Sequence, residues 1–459
     1  MSSERLTSLD ASFLYLERPA MHMHVAGLSV FAPRPDGSPL RYEDVERTIR
    51  ERIHLAPRLR QRVLAVPGGI ARPVWVDDDR FDLDFHLRRS AVPRPHGRRQ
   101  LERAVGRVLS RQLDRSKPLW ELYVFEELEE GRTAVLLKMH HAMTDGISGM
   151  LIASALFDLA PGASAPPPAP WHPAHPPAAA DLVREAVLEQ VANPFGIAEY
   201  LVRAPTEAAA KIGTAIAGVR ALVGMGRPPR GPFDVRIGPN RRFAMTDAPF
   251  QRFRDVKHGL GGTVNDVVLA CVAGGLHDLL RSRKEPTRGR TLRVMVPVSV
   301  RAKEEAGEMG NRVAPAFVDV PVGAMSARRR LARIREATSE LRASPMAVGA
   351  GTIIGWGAYA PPALHAAAAR LTSRGRWFNL VVSNVPAPQV PLYLAGARLE
   401  ASYPSMPLNV NAALSIACTS LAGTMAFGLT ADWDAIPDLE VLVEGIEHAL
   451  DGLSAEAAR

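Results

Sequence analysis

Cysteine is almost missing: Cys271 and Cys418 are the only two in 459 residues. Two thiols cannot organise a fold of this size, so a disulfide scaffold is excluded and a reducing compartment is the default. The beginning also lacks an apolar run behind a basic head. Glu4, Arg5, Asp10, Glu17 and Arg18 are spread through the first twenty residues, so a cleaved secretory signal is not expected. Lysine is scarce, six residues against fifty arginines, which together make the 56 bases behind the net charge of +8. Such a bias looks more like arginine-rich codon usage than a selected phosphate-binding face. The arginines alternate with acids, as in "RYEDVERTIRERI" and "RRLARIREATSELR", the pattern of solvated helix faces. No helix-turn-helix, zinc-finger or aromatic-basic pattern occurs, and no nucleic-acid partner is expected. The positive charge fits a mild field that attracts an anionic cofactor or a phospholipid surface.

What is present is an ordinary folded composition, 47% hydrophobic and 23% charged, which excludes disorder and a collagen-like chain. At about 100–200 residues per domain the length suggests two or three domains. Residues 161–177, "PGASAPPPAPWHPAHPP", hold eight prolines in seventeen positions and read as an extended spacer. Helical patterning follows it, interrupted at Pro194 and Pro205, and "RPPRGP" (227–232) is a second break. The expected organisation is an N-terminal domain over 1–160, a proline-rich linker and helical crossover over 161–236, and a second domain over 237–459. On either side of the crossover, strands and helices alternate. "HVAGLSVF", "LWELYVFEEL" and "TAVLLKM" read as strands before it, with "YEDVERTIRERI" and "QLERAVGRVLSRQL" as helices. After it come the buried helix "NDVVLACVAGGLHDLL", the strands "TLRVMVPVSV", "APAFVDVPV" and "RWFNLVVSNV", and a hairpin turning near Ala422–Gly423. An amphipathic helix over 326–343 and the final helix "LEVLVEGIEHALDGL" complete the pattern. Two mixed α/β domains fit it best. The uncharged stretch from Ala343 to Ala369 is long enough to cross a bilayer. Its prolines, glycines and small side chains favour a buried or interfacial helix pair instead, with a lipid-touching segment as the alternative.

The sharpest chemical signal is "LLKMHHAMTDGISGMLI", in which an apolar strand runs into His140 and His141 and then, past three residues, into Asp145 and Gly146 before an apolar helix. A strand end followed by a helix start holds side chains rigidly at a cleft. If the backbone is still extended, one histidine points into a pocket and the other away. A neutral imidazole accepts a proton near neutral pH, as activation of a hydroxyl or amine requires. Asp145 and Gly146 are expected to shape the turn. The competing readings are a pair of satisfied core histidines and a metal site, but no third or fourth ligand stands at a familiar spacing, so no metal is expected. His22 and His24 in "MHMH" form an i, i+2 pair, better explained by ordinary contacts at a strand edge.

At these residues the chain resembles a known group. "HHAMTDG" is similar to the His-His-x-x-x-Asp-Gly motif of the CoA-dependent acyltransferase superfamily, which includes chloramphenicol acetyltransferase and the condensation domains of peptide synthetases. Further stretches resemble one branch, the bacterial wax ester synthase/diacylglycerol acyltransferases: "LTSLDASFLYLE" with "MHVAGL", "KPLWELYVFE", "TVNDVVLA", "VMVPVSVR" with "GNRV", and "SNVPAP". Two departures stand out: Leu421 where relatives often carry tyrosine, and Ala387 where glycine is common.

The resemblance implies an α/β fold of two chloramphenicol-acetyltransferase-like mixed-sheet domains joined by a long crossover, with an active-site channel between them. It implies that His141 is the general base removing a proton from an alcohol as the oxygen attacks the thioester of an acyl-CoA. No covalent acyl-enzyme is then needed, consistent with the lack of a Gly-x-Ser-x-Gly elbow. His140 and Asp145 complete the motif, Asp145 paired with an arginine that the sequence does not identify. Asn265 is either a polar group near the channel or part of a helix N-cap that Thr263, Asn265 or Asp266 could supply. Trp120 is either core packing or acyl-tunnel wall, and Arg301 and Asn311 either face the pocket or make structural hydrogen bonds. The implied activity is transfer of a long acyl chain to diacylglycerol or a long-chain alcohol, with acyl-CoA as co-substrate and no other cofactor. The implied setting is cytoplasmic, peripheral to the inner membrane or lipid inclusions, as a monomer. Two alternatives stay open: a condensation-type enzyme with another acceptor, and a catalytically weak lipid-binding protein of lipid bodies.

Overall fold

The computed structural model describes residues 4–143, 152, 155–162, 167, 170–192, 213, 220, 224–299, 313–343, 365–367, 369–370 and 375–459. Two six-stranded mixed sheets carry the chain. In the N-terminal sheet the order is Tyr393–Leu394, Ala397–Ser405, His24–Phe31, Thr133–His140, Trp120–Phe125, Leu87–Ser90. In the C-terminal sheet it is Val313–Pro321, Thr291–Ser299, Leu380–Pro386, Leu414–Leu421, Thr424–Asp432, Arg241–Pro249. A small third sheet joins Glu4–Arg5, Val74–Asp77 and Gln61–Leu64.

Alternation of side chains sets what each face of the N-terminal sheet meets. On Thr133–His140, Ala134 and Leu136 pack with Ala104, Val105 and Val108 of the helix Arg98–Leu109. The same cluster takes in Phe243 and Met245 from the edge strand of the other sheet, so one apolar layer belongs to both halves. Val135, on the opposite face, joins a core with Ile49, Ile53 and Trp120. The C-terminal sheet is covered by the helix Val264–Ser282, buried along most of its length, and by the final helix Leu439–Ala457. These two helices touch closely at glycines: a Cβ at Gly275 would lie 2.9 Å from the Ile446 amide nitrogen.

The strand Ala397–Ser405 leaves the C-terminal half and pairs antiparallel with His24–Phe31. It crosses the hairpin strand Thr424–Asp432 so tightly that a Cβ at Gly428 would sit 1.9 Å from the Pro404 carbonyl oxygen. The hairpin turns at Ala422 and Gly423, both with positive φ (48° and 87°), the geometry that suits two-residue turns between strands. The proline-rich spacer lies against the small sheet: the Arg60 guanidinium stacks 4.4 Å over Trp171, and Asp77 accepts the Ala174 N–H at 3.0 Å. Leu182 and Ala186 of the helix Ala179–Ala192 then pack on Val66, Val74 and Val76. Most of the uncharged stretch 343–369 lies outside the described residues. Among the described residues no single helix is long and apolar enough to cross a membrane.

Candidate active site

The strand Thr133–His140 is central in its sheet, and its hydrogen-bond ladder continues into the histidine pair. The His140 N–H donates to the Leu119 carbonyl at 2.9 Å, and the His141 N–H to the Met23 carbonyl at 2.7 Å. The strand ends at His140, and His141 opens a short 3-10 turn over His141–Met143 while its N–H still bonds across to the neighbouring strand.

His140 is 1% exposed. Its Nδ1 accepts the Ala142 N–H at 3.1 Å, which leaves the ring proton on Nε2, facing Glu17 Oε2 at 3.7 Å. Glu17 ends the helix Ser8–Leu16. Its carboxylate is held by Arg115 (Nε 2.8 Å) and approached by His24 Nε2 at 3.3 Å. Burial opposes ionisation of Glu17, but the polar neighbours His24 and His140 and the Arg115 guanidinium outweigh it and hold the carboxyl well below its ordinary range. Burial takes His140 down to about 3 and His24 down to about 4, against the pull of that same carboxylate. Both imidazoles are neutral at pH 7. One residue pair further back, Lys138 is fully buried and reaches Glu121 at 3.1 Å and the Arg111 carbonyl at 2.8 Å. This face of the strand is a polar seam that fixes the strand end.

His141 points the other way. Its ring stacks on Phe13, with centroids 3.9 Å apart and planes 21° from parallel. Phe13 is presented by the same helix, whose start is fixed by the Thr7 hydroxyl accepting the Asp10 N–H at 3.1 Å. Burial lowers the His141 pKa from its ordinary value, so this imidazole too is unprotonated at neutral pH. Val135, Leu137 and Met139, alternate residues of the strand that leads to it, line a cavity of about 270 Å³ with Gly27, Leu156 and Phe157. A neutral imidazole packed on an aromatic ring, just past a strand whose alternate residues line an apolar cavity, is suited to taking a proton from a hydroxyl in a water-poor setting.

The other expected site residues fall in different places. Trp120 is packed: its indole N–H donates to the Leu59 carbonyl at 2.8 Å, His86 stacks on it at 4.5 Å, and it lies beside a second small apolar void with Leu137. Thr263 caps the helix Val264–Ser282, and Asp266 completes the capping box, so Asn265 is not the cap. Its half-buried side chain has no protein partner among the described residues. Asp145, Gly146, Arg301 and Asn311 lie outside the described residues. Among the described residues no group of three or more His, Cys, Asp or Glu side chains is arranged to hold a metal ion. Both thiols are buried in the C-terminal half, and burial raises them, Cys271 to about 12, which makes them poor nucleophiles. The sequence reading assigned no role to Phe13 or Glu17, although both lie in "LTSLDASFLYLE". The signal in the sequence is Glu17 directly after the apolar run Phe13–Leu16.

The wax ester synthase/diacylglycerol acyltransferase catalytic domain matches residues 6–268, and the C-terminal domain of the same family matches residues 309–454. A Mycobacterium tuberculosis (strain H37Rv) protein described as a probable diacylglycerol O-acyltransferase is 33% identical over 458 residues, covering 97% of each chain. The solved wax ester synthase/diacylglycerol acyltransferase of Marinobacter aquaeolei VT8 superposes with a TM-score of 0.71 at 27% identity, covering 99% of this chain and 100% of that one. The first condensation domain of the calcium-dependent antibiotic synthetase gives a TM-score of 0.58 at 16% identity, over 100% of this chain and 97% of that one, a likeness of fold. The two-domain, chloramphenicol-acetyltransferase-like α/β architecture expected from the sequence is the one observed.

Proposed function

The chain belongs to the wax ester synthase/diacylglycerol acyltransferase family and is an acyltransferase, and from that premise we propose that it moves a long acyl group from acyl-CoA to the free hydroxyl of diacylglycerol. His141 is the general base in this reading. Its neutral ring takes the hydroxyl proton as the alcohol oxygen attacks the thioester carbonyl. The tetrahedral intermediate then collapses, and the CoA thiolate leaves with that proton. Acyl-CoA is a co-substrate, and no other cofactor and no acyl-enzyme take part. Asp145 and Gly146 shape the turn beyond the base, and Arg301 and Asn265 belong to the substrate channel. A monomer suffices, because one chain supplies both halves.

The observation that carries the proposal is the placement of His141: depressed in pKa, stacked on Phe13, and following the strand whose residues line an apolar slot. His140 has the opposite environment, with Nδ1 engaged by the backbone, and serves to hold the turn. The double name of the Marinobacter protein favours a long-chain alcohol as second acceptor.

The test is thiol release from palmitoyl-CoA with wild type and His141→Ala, with lipid products separated by chromatography. Acceptors are diacylglycerol in vesicles, diacylglycerol in detergent, and hexadecanol. Loss of a general base lowers the rate by about 10²–10⁴. Ester formed by wild type and lost by that factor in His141→Ala supports both class and base, and a preference for vesicles supports action at a lipid surface. Equal rates in the two proteins would falsify the role of His141.

A further inference from the structure

A second cavity, of about 690 Å³, opens at the end of the C-terminal sheet where the strands Leu380–Pro386 and Leu414–Leu421 begin. Arg227, Arg230, Asp234, Arg376, Trp377 and Asn411 line it. The loop that carries Arg227 and Arg230 is held by its carbonyls. Arg293 donates to the carbonyls of Met225 (3.1 Å) and Gly226 (2.9 Å), and Arg376 donates to that of Pro228 (3.0 Å). Asn379 donates to the Pro229 carbonyl (2.7 Å) and Arg290 to that of Arg230 (2.8 Å). Five carbonyls in a stretch of six residues are thus fixed by buried or part-buried donors. A loop rich in proline and glycine has few internal hydrogen bonds of its own, so these contacts set its shape.

The charges around the cavity do not cancel. Each arginine that fixes the loop has its own carboxylate: Arg293 has Asp319, Arg290 has Glu285, and Arg376 has Asp234. Asp234 is further occupied by the Gly231 N–H (2.8 Å) and the Asn379 side-chain amide (2.8 Å). Arg227 and Arg230 have no acceptor among the described residues. Two guanidiniums are therefore displayed from a rigid loop beside an aromatic wall, Trp377. Guanidinium forks bind phosphate bidentately, and an indole face stacks with a flat heteroaromatic ring.

One apolar cluster is adjoined by a contact of the candidate base and by a residue next to the cavity wall. Met21, Met23, Ile237, Leu408 and Ala413 form a small buried cluster, with Phe13 and Val410 packed against it. Phe13 stacks on His141, and the Met23 carbonyl takes the His141 N–H. Val410 packs on the same cluster, and Asn411, the next residue, lines the cavity.

We infer that this cavity binds the nucleotide end of the acyl-CoA donor, with Arg227 and Arg230 on its phosphates and Trp377 against its base. The pantetheine arm then runs past the Met21–Met23 cluster towards His141. The inference rests on the acyl-CoA reading of the active site and specifies where that donor is recognised.

The experiment compares wild type with the double variant Arg227→Ala/Arg230→Ala. Neither side chain has a hydrogen-bond or ion-pair partner among the described residues, so the variant is expected to fold. Adenosine 3′,5′-bisphosphate is titrated calorimetrically into both proteins, and KM is measured for palmitoyl-CoA and for S-palmitoyl-pantetheine, which has no nucleotide. Wild type is expected to bind the bisphosphate and to show a KM lower by about tenfold or more for palmitoyl-CoA, the scale of one or two charge-assisted phosphate contacts. The variant is expected to lose both the binding and the preference between donors. Equal KM values for the two donors in wild type, with ester still formed, overturn the cavity and leave the acyltransferase reading intact. Bisphosphate binding that depends on the two arginines, without ester from any donor, upholds the cavity and removes the acyltransferase reading. A variant with unaltered donor preference that has lost binding to phosphatidylglycerol vesicles overturns the inference in favour of a lipid headgroup.

Discussion

Adjacent histidines receive opposite environments at the point where the strand ends at His140 and a 3-10 turn begins at His141. His140 goes to the polar seam with Glu17 and His24, and His141 goes to the aromatic face of Phe13. The seam has a consequence for stability. His140 and His24 are held at about 3 and about 4 in the folded protein, whereas an unfolded histidine titrates near 6.5. Their folded values are depressed, so their contribution is fully present above pH 6.5 and is lost as the pH falls through the interval down to the folded values. The slope approaches about 1.4 kcal/mol per pH unit for each histidine. Thermal melts of wild type are expected to fall steeply between pH 6.5 and 5. His140→Asn keeps an acceptor for the Ala142 N–H but removes one titrating group, so its melting temperature should fall less over the same range. Parallel curves would show that His140 does not drive the loss. The histidine pair was legible in sequence because it is contiguous and framed by an apolar strand. Phe13 and Glu17 were not, because their approach to the pair depends on how a helix far upstream docks.

Elements with a strong period were readable for the same local reason. The strand His24–Phe31, the strand Thr133–His140, the helix Val264–Ser282 and the hairpin turn at Ala422–Gly423 fall where alternation, apolar runs and turn residues put them. What periodicity does not encode is the partner of a strand. Ala397–Ser405 has a clean alternation of buried and part-exposed residues, yet its place beside His24–Phe31 follows from its crossing over the C-terminal hairpin. That crossing hinges on Gly428, where the Pro404 carbonyl occupies the space of a side chain. Gly428→Ala forces the strands apart and is expected to destabilise the protein by about 1–3 kcal/mol, the usual cost of overpacking. Chemical denaturation measures it. A loss below half a kcal/mol would show that the two strands separate freely.

Over the whole molecule, the division at the proline-rich spacer is a division of sequence more than of structure. The N-terminal sheet takes two strands, Tyr393–Leu394 and Ala397–Ser405, from beyond the crossover, and the apolar layer under helix Arg98–Leu109 includes Phe243 and Met245. A fragment of residues 1–236 therefore lacks the neighbour of His24–Phe31 and leaves that strand as a bare, mostly apolar edge. Expressed alone, it is expected to aggregate or bind a hydrophobic dye, whereas full-length protein elutes compactly on gel filtration. A compact, dye-silent fragment would show that the N-terminal half is self-sufficient. During synthesis the same geometry imposes an order of events. The strand bearing the two histidines and its inner neighbour leave the ribosome hundreds of residues before Ala397–Ser405 does, and they wait with one edge open while the rest is translated. A nascent chain of this kind depends on something else to shield that edge in the interval, and an interrupted translation yields no working half-enzyme.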